Sequence, residues 1–97
     1  MLEIAVHEDA DEELKAAASF YESREMGLGQ LFLQRIADGF ALIQDQPFAG
    51  SPLSADIRRL LVRQFPYSLV YRVEKDSIFI LAVAHWHRRP GYWRTRA

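Results

Sequence analysis

The segment Phe65–Arg96, FPYSLVYRVEKDSIFILAVAHWHRRPGYWRTR, decides the fold class. Residues 67–74 and 77–84 are rich in β-branched and aromatic side chains, and the polar pair Lys75-Asp76 separates them. Two such segments around a short polar break are typical of a β-hairpin. The pattern therefore predicts a hairpin that leads into a basic, aromatic C-terminal tail (residues 88–97).

A two-residue turn at Lys75-Asp76 fixes the expected register of this hairpin, because side chains alternate between the two faces of a sheet. The pairs predicted on one face are Val73–Ile78, Tyr71–Ile80 and Leu69–Ala82. The pairs predicted on the other face are Arg72–Phe79, Val70–Leu81 and Ser68–Val83, followed by His85 and His87. The first face is apolar and requires a cover, whereas the second is partly polar.

The rest of the chain supplies that cover. Residues 2–6 alternate like a short strand, and Asp9 resembles a helix N-cap before an amphipathic helix over 10–25. A second helix is expected to stop near Gln46, because Pro47 cannot continue it. A further strand follows over 57–64. The prediction is one α+β domain spanning 1–97, in the order β-α-α-β-β-β, with a helical hairpin on one face of a small, mostly antiparallel, twisted sheet.

A tight turn through Phe65-Pro66-Tyr67 would place Arg59 and Arg63 on the same face as Arg72. Alternation would add both histidines, so one uncovered surface would collect the basic side chains. An apolar strip would run between them, and such a strip on a small domain favours a cover supplied by another molecule. The strip consists of Val70, Phe79, Leu81 and Val83.

Composition narrows the function classes. The chain has no cysteine, which excludes disulfides and thiolate zinc sites. No apolar run approaches the roughly 18–20 residues that span a bilayer, and the N-terminus lacks a secretory pattern. We therefore expect a cytoplasmic protein with no membrane partner and no cofactor.

The charge is unevenly distributed along the chain. Residues 1–48 carry three basic against ten acidic side chains, and residues 49–97 carry nine basic against three acidic ones. A basic half of this kind suits a polyanion or an acidic partner. The alternative is that the two halves attract each other within the fold.

The basic side chains and histidines match the needs of a metal-independent ribonuclease, in which one group removes the 2′-hydroxyl proton and another protonates the leaving oxygen. The alternative is a solvated rim with histidines at a strand end. His85-x-His87 lacks a nearby acidic residue to complete a metal site, so we predict none.

Several motifs in this order resemble one protein family. They are Ala10 with Leu14 and Tyr21, Gly29-x-x-Phe32-x-x-x-Ile36, Phe65-Pro66-Tyr67 with Tyr71, and His85-x-x-Arg88-x-Pro90-x-Tyr92-Trp93-x-x-Arg96. The chain resembles the RelE/ParE superfamily of toxins from type II toxin–antitoxin modules, especially the ParE-like branch often labelled plasmid stabilisation proteins.

The resemblance implies a growth-inhibiting toxin that a cognate antitoxin silences by draping a flexible segment over the helices and the open sheet face. Operator DNA would be contacted only through the antitoxin. The ParE-like branch implies DNA gyrase as the target. The RelE-like alternative is a ribosome-dependent messenger RNA endoribonuclease, but its lysine cluster is absent, since Lys15 and Lys75 are the only lysines.

Site residues follow from these two alternatives. The nuclease interpretation assigns catalysis to His85, Arg63 and Tyr92. Target or phosphate binding is assigned to Arg59, Arg72, Arg88 and Arg89. Antitoxin contact is assigned to the apolar strip defined above.

Overall fold

The computed structural model describes residues 2–97, and its elements follow the predicted order with one addition, the short strand β2. The prediction of an α+β fold, with two helices on one face of a small sheet, is confirmed. The elements are β1 (Glu3–Val6), α1 (Glu8–Arg24), α2 (Leu28–Asp45), β2 (Ser51–Pro52), β3 (Ile57–Leu61), β4 (Tyr67–Val73), β5 (Ser77–His85) and a final 3-10 turn (Arg94–Arg96).

Helix α1 begins slightly earlier than predicted, because its N-cap is His7 and not Asp9. The His7 Nδ1 atom accepts a hydrogen bond from the backbone N–H of Asp9 at 3.0 Å. That bond satisfies one of the unpaired donors of the first turn. His7 is thus a structural residue at the junction of β1 and α1.

Helix α2 has no cap of its own, since its N-cap residue Gly27 adopts a left-handed backbone with φ of 88°. The Glu22 carboxylate, near the end of α1, takes over that role. It accepts hydrogen bonds from the N–H groups of Gly27 at 3.0 Å and Gly29 at 2.9 Å. These bonds, the one from Gly27 first, lower the pKa of Glu22. They join the two helices into a hairpin.

The sheet has the strand order β1-β5-β4-β3-β2, with β1 parallel to β5 and the other pairs antiparallel. The helices pack on one face, which we call the covered face. Its core combines Phe32, Ile36 and Ile43 of α2 with Leu69, Tyr71, Ile78, Ile80 and Val83 of the sheet. None of the helices described here is long and apolar enough to cross a membrane.

A β-bulge in β5 changes the predicted register. Val73–Ile78, Tyr71–Ile80 and Arg72–Phe79 pair as expected, but Val70 pairs with Ala82, because Leu81 is an extra residue on β5. Beyond the bulge, Leu69 pairs with Val83, Ser68 with Ala84 and Tyr67 with His85. A bulge of one residue exchanges the two faces for everything that follows it.

Two predicted site residues are therefore misplaced. Val83 lies in the core of the covered face, where it is 1% exposed, and was wrongly assigned to the open face. His85 follows the same parity, because its cross-strand partner Tyr67 packs against Phe32 on the covered side. The prediction that both histidines continue the open face is wrong for His85.

The turn between β3 and β4 also differs from the prediction. It spans residues 62–66 instead of two residues, closes with a 2.9 Å hydrogen bond from Val62 N–H to the Tyr67 carbonyl, and includes Gln64 at φ of 70°. Arg63 is an exposed residue of this turn and does not belong to a strand. Arg59 pairs with Val70, so its predicted position on the face of Arg72 is confirmed.

The tail of the chain itself covers the opposite face of the sheet, which we call the open face. Trp93 packs there against Val70 and Leu81 and is 5% exposed. The prediction that another molecule must bury this strip is therefore wrong for Val70 and Leu81, whereas Phe79 at the strip's end stays partly accessible. The remaining buried members of this second core are Ile57, Ala82 and Ala84.

Candidate binding cleft

A cleft with a volume of about 200 Å³ lies between the open face and the C-terminal tail. Four arginines line it, one from β3 and three from the tail; none of the described residues in its wall is acidic. All four are exposed. These side chains, which we call the arginine cleft, are Arg59, Arg88, Arg89 and Arg94.

Apolar groups form the floor and part of the rim of the arginine cleft. Val70 and Ala84 lie at its base, and Leu53 and Trp86 border it. Trp86 is 55% exposed, and its Nε1–H donates a hydrogen bond of 3.2 Å to the Ser68 hydroxyl. This bond fixes the indole at the rim and leaves much of its surface open to a ligand.

A single carboxylate on α1 holds the tail in place. Glu13 accepts hydrogen bonds from the Tyr92 hydroxyl at 2.7 Å and from both terminal nitrogens of Arg96 at 3.0 Å. Its Oε1 atom also accepts from the backbone N–H of Val83 at 3.0 Å. Bidentate pairs of a carboxylate and a guanidinium group are among the stronger polar contacts in proteins. We call these contacts the Glu13 clamp.

The Glu13 clamp also completes the edge of the sheet. Strand β1 pairs with β5 over Ser77–Ile80, and within residues 2–97 the rest of that edge has no neighbouring strand. The Val83 N–H donates to Glu13, and the Leu81 carbonyl accepts from Arg96 at 3.1 Å. Buried backbone groups require such partners. Arg96 also lies 3.7 Å from Asp9, so part of the charge asymmetry is used within the fold.

Tyr92 is committed to this structural role. Burial, reinforced by the hydrogen bond to Glu13, raises the pKa of Tyr92 well above its usual range. The guanidinium carbons of Arg88 and Arg96 lie 3.8 Å and 5.0 Å from the centre of its ring. The hydrogen bond to Glu13 and the stacking with both guanidinium groups show that Tyr92 anchors the tail to α1.

The arginines of the cleft differ in how firmly they are engaged. Arg88 lies 3.9 Å from Glu13, and Arg94 stacks over Trp93 at 5.0 Å. Arg59 and Arg89 form no ion pair with any acidic side chain in residues 2–97. Two guanidinium groups beside an apolar floor are thus available to an anionic ligand.

The histidines lie at the end of β5. The His85 ring packs edge-on against Tyr67 with 5.0 Å between ring centres, and its Nδ1 atom accepts a 3.0 Å hydrogen bond from the His87 N–H. His85 borders the arginine cleft. One of its two ring nitrogens is thus occupied by the turn that begins the tail.

The structure brings some of the predicted site residues together and separates others. Arg63 and Arg72 are absent from the cleft wall, and Arg72 pairs with Glu74 at 2.9 Å and stacks on Phe79 at 5.4 Å. The pairing with Arg72 lowers the pKa of Glu74. The predicted residues that do border the cleft are Arg59, Arg88, Arg89, His85 and Tyr92.

Sequence reasoning missed Glu13, whose importance depends on contacts more than seventy residues away along the chain. In the sequence Glu13 was one of several acidic residues that favour a helix N-terminus. One signal distinguishes Glu13: it lies next to Leu14 and three residues after Ala10, at the border of the buried side of α1, whereas Glu12 faces solvent.

These features define a class of protein: a small α+β domain whose helical hairpin covers one face of the sheet and whose basic tail covers the other. The family model described as ParE toxin of type II toxin–antitoxin system, parDE, matches residues 4–90. The chain therefore belongs to this family of ParE toxins.

Comparison with solved structures supports the same fold. The chain is similar to a structure titled "Chromosomal ParDE TA system from P. aeruginosa", with a TM-score of 0.72 and 21% sequence identity. The alignment covers 88% of this chain and 96% of the other chain. Comparison with curated protein sequences gave no match. The family match ends at residue 90, so most of the tail that carries the Glu13 clamp lies beyond it.

Proposed function

We propose that this ParE-family toxin inhibits growth in the cytoplasm by binding a protein target, DNA gyrase, and that a cognate antitoxin neutralises it. Membership in a family of toxin–antitoxin modules supports the antitoxin partner. Operator DNA would be contacted through that antitoxin. Gyrase is the target that the resemblance to the ParE-like branch implies, and the exposed arginines and indole of the cleft are suited to binding a protein.

One observation carries this choice: the three side chains assigned to a nuclease mechanism are not all available at one place, although His85 and Tyr92 both border the cleft. The Tyr92 hydroxyl donates to Glu13, and Arg63 lies in an exposed turn outside the cleft wall. Acid–base catalysis requires the reacting groups within hydrogen-bond reach of one scissile bond. Binding requires only the exposed arginines and the indole that the cleft presents.

Both sides of the toxin domain present exposed apolar side chains that an antitoxin could contact. The helical hairpin exposes the apolar side chains Phe20, Leu33 and Leu42, and the open face offers Phe79 at its edge. Val70 and Leu81 are buried by the tail, so an antitoxin would reach them only after the tail moved. We therefore propose the hairpin and Phe79 as its contact surface.

The target is tested by giving purified toxin two substrates in parallel. We expect inhibition of supercoiling of relaxed plasmid by gyrase, relieved by stoichiometric antitoxin, and intact messenger RNA on translating ribosomes. Cleaved messenger together with unaffected supercoiling would support the endoribonuclease alternative and contradict the proposal.

A substitution at the strand end separates the mechanisms in cells. His85→Ala removes the group best suited to proton transfer near neutral pH. We expect growth inhibition to persist, because binding through the arginines does not need that proton. Loss of toxicity in a His85→Ala protein that still folds and still binds the antitoxin would favour the nuclease mechanism.

A further inference from the structure

We propose that the arginine cleft is the docking point for an acidic segment of the target protein that carries an apolar side chain next to its carboxylates. This inference rests on the proposed function, since it names the part of the toxin that recognises the target. It assigns the recognition to Arg59 and Arg89, with Trp86 as the apolar contact. It also assigns the Glu13 clamp the task of holding the tail arginines in position.

The charge of the cleft specifies an anionic ligand. Arg59 comes from β3 and Arg89 from the tail, so two elements distant in sequence each contribute an arginine to one cleft wall. Neither has an acidic partner within the described chain, whereas Arg96 is fully engaged by Glu13. Guanidinium groups bind carboxylates in a planar, two-pronged geometry.

The apolar surface of the cleft indicates that the ligand also carries an apolar group. Trp86 is 55% exposed and Leu53 is 38% exposed, and both border the same cleft. Tryptophan and arginine side chains dominate the binding energy of protein interfaces, especially around a desolvated centre. A carboxylate beside a leucine or phenylalanine side chain would satisfy both kinds of contact.

Size and charge distribution favour a protein segment over a nucleic acid. A cleft of about 200 Å³ is smaller than the roughly 300–1,000 Å³ typical of pockets for whole small molecules, and it admits only one or two side chains. Nucleic acids are bound along extended basic surfaces that neutralise several phosphates. Here the four arginines are gathered around one small cleft.

The chemistry of the cleft can be tested without the target. Fluorescence anisotropy would compare the affinity of the toxin for a labelled peptide with the repeat Glu-Glu-Leu and for a labelled single-stranded oligonucleotide of equal charge. We expect tighter binding of the peptide, weakened about tenfold by Arg59→Gln and further by the added Arg89→Gln. Equal peptide binding by the double variant, or tighter binding of the oligonucleotide, would overturn the inference.

A matched control excludes a simple effect of net charge. Arg24 is an exposed arginine at the end of α1 that stacks over Phe20 at 4.8 Å and lies outside the cleft wall. Arg24→Gln removes the same charge and should leave peptide binding within about twofold of wild type, because Arg24 does not line the cleft and exposed charges are screened by salt. Equal losses in Arg24→Gln and Arg59→Gln would contradict a specific site.

The same variants link the cleft to gyrase. We expect the Arg59→Gln/Arg89→Gln variant to need about tenfold more protein to inhibit supercoiling, while its binding to the antitoxin remains unchanged. Inhibition at the wild-type level by this variant would overturn the cleft as the target site and leave the proposed function intact. Wild-type toxin that leaves gyrase unaffected but binds the acidic peptide through both arginines would refute the gyrase proposal and retain the chemistry of the cleft.

Discussion

Replacement of Trp93 tests whether the tail holds the open face of the sheet. The side chain is 5% exposed and packs in the core with Val70, Leu81 and Ala82. Truncation of a buried tryptophan to alanine costs about 3–5 kcal/mol. Trp93 lies in the tail, outside the strands of the sheet, so local detachment of the tail limits the loss, and we expect Trp93→Ala to lower the free energy of unfolding by about 3 kcal/mol.

Thermal unfolding followed by far-ultraviolet circular dichroism measures this loss, since a domain of this size shifts by roughly 4–8 °C per kcal/mol. The expected decrease in Tm is therefore about 12–24 °C. Trp86 provides the control, because it is 55% exposed and contributes one hydrogen bond to Ser68. Trp86→Ala should cost about 1 kcal/mol. Equal decreases for the two variants would refute the packing of the tail on the sheet.

Three further predictions follow from the contacts. Gly29→Ala places a methyl group 2.5 Å from the Ala18 carbonyl oxygen, so overpacking should outweigh the helix propensity of alanine and cost about 2 kcal/mol by urea denaturation. Gly39→Ala meets side-chain methyl groups, with Leu69 at 2.7 Å and Leu60 at 3.7 Å, and no backbone atom. A small rotation of Leu69 relieves that contact, so Gly39→Ala should stay within about 1 kcal/mol of wild type. Glu13→Gln should cost about 2 kcal/mol and loosen the tail to proteolysis, whereas an exposed neighbour, changed in Glu12→Gln, should have little effect. Burial raises the pKa of all four tyrosines, so their phenols lose a proton at lower pH in the unfolded chain than in the folded one. Stability should therefore fall as the pH rises above about 10. Phenolate absorbance that appears near pH 10 in a folded protein would contradict this.

The sequence alone was sufficient for the layers of the fold. Periodicity every three to four residues located both helices, Pro47 located the end of α2, and Lys75-Asp76 located the hairpin turn. These signals are local, and each reflects a backbone preference that tertiary contacts left unchanged. The short strand β2 escaped prediction because its two exposed residues, Ser51 and Pro52, have no β pattern of their own.

The bulge at Leu81 explains why the predicted register of β5 was wrong beyond residue 80. Residues 80–84 read Ile-Leu-Ala-Val-Ala, so no polar side chain marks which of them faces the helices. With both faces buried, alternation carries no information about register, and an extra residue leaves no trace in the pattern. Counting through this segment gives His85 the wrong parity, because the single inserted residue pairs it with Tyr67 of the covered face; at the strand end it nevertheless borders the cleft.

The role of the tail could not be read from its composition. Basic and aromatic residues at a chain end suggest a ligand-binding segment, and four arginines do remain at the cleft. However, Trp93 and Arg96 serve the protein's own packing, through the second core and the Glu13 clamp. That division depends on contacts between the tail and α1, which are distant in sequence and therefore invisible to local patterns.

The central claim is that the tail folds back over the open face, held by Glu13, and thereby forms the arginine cleft. Nuclear Overhauser effects in a ¹³C-labelled sample test this arrangement directly, by reporting which protons lie within about 5 Å of the Trp93 indole. We predict cross-peaks from that indole to methyl groups of Val70 and Leu81, and their loss in Glu13→Gln. A Trp93 indole without long-range cross-peaks in the wild-type protein would contradict the account.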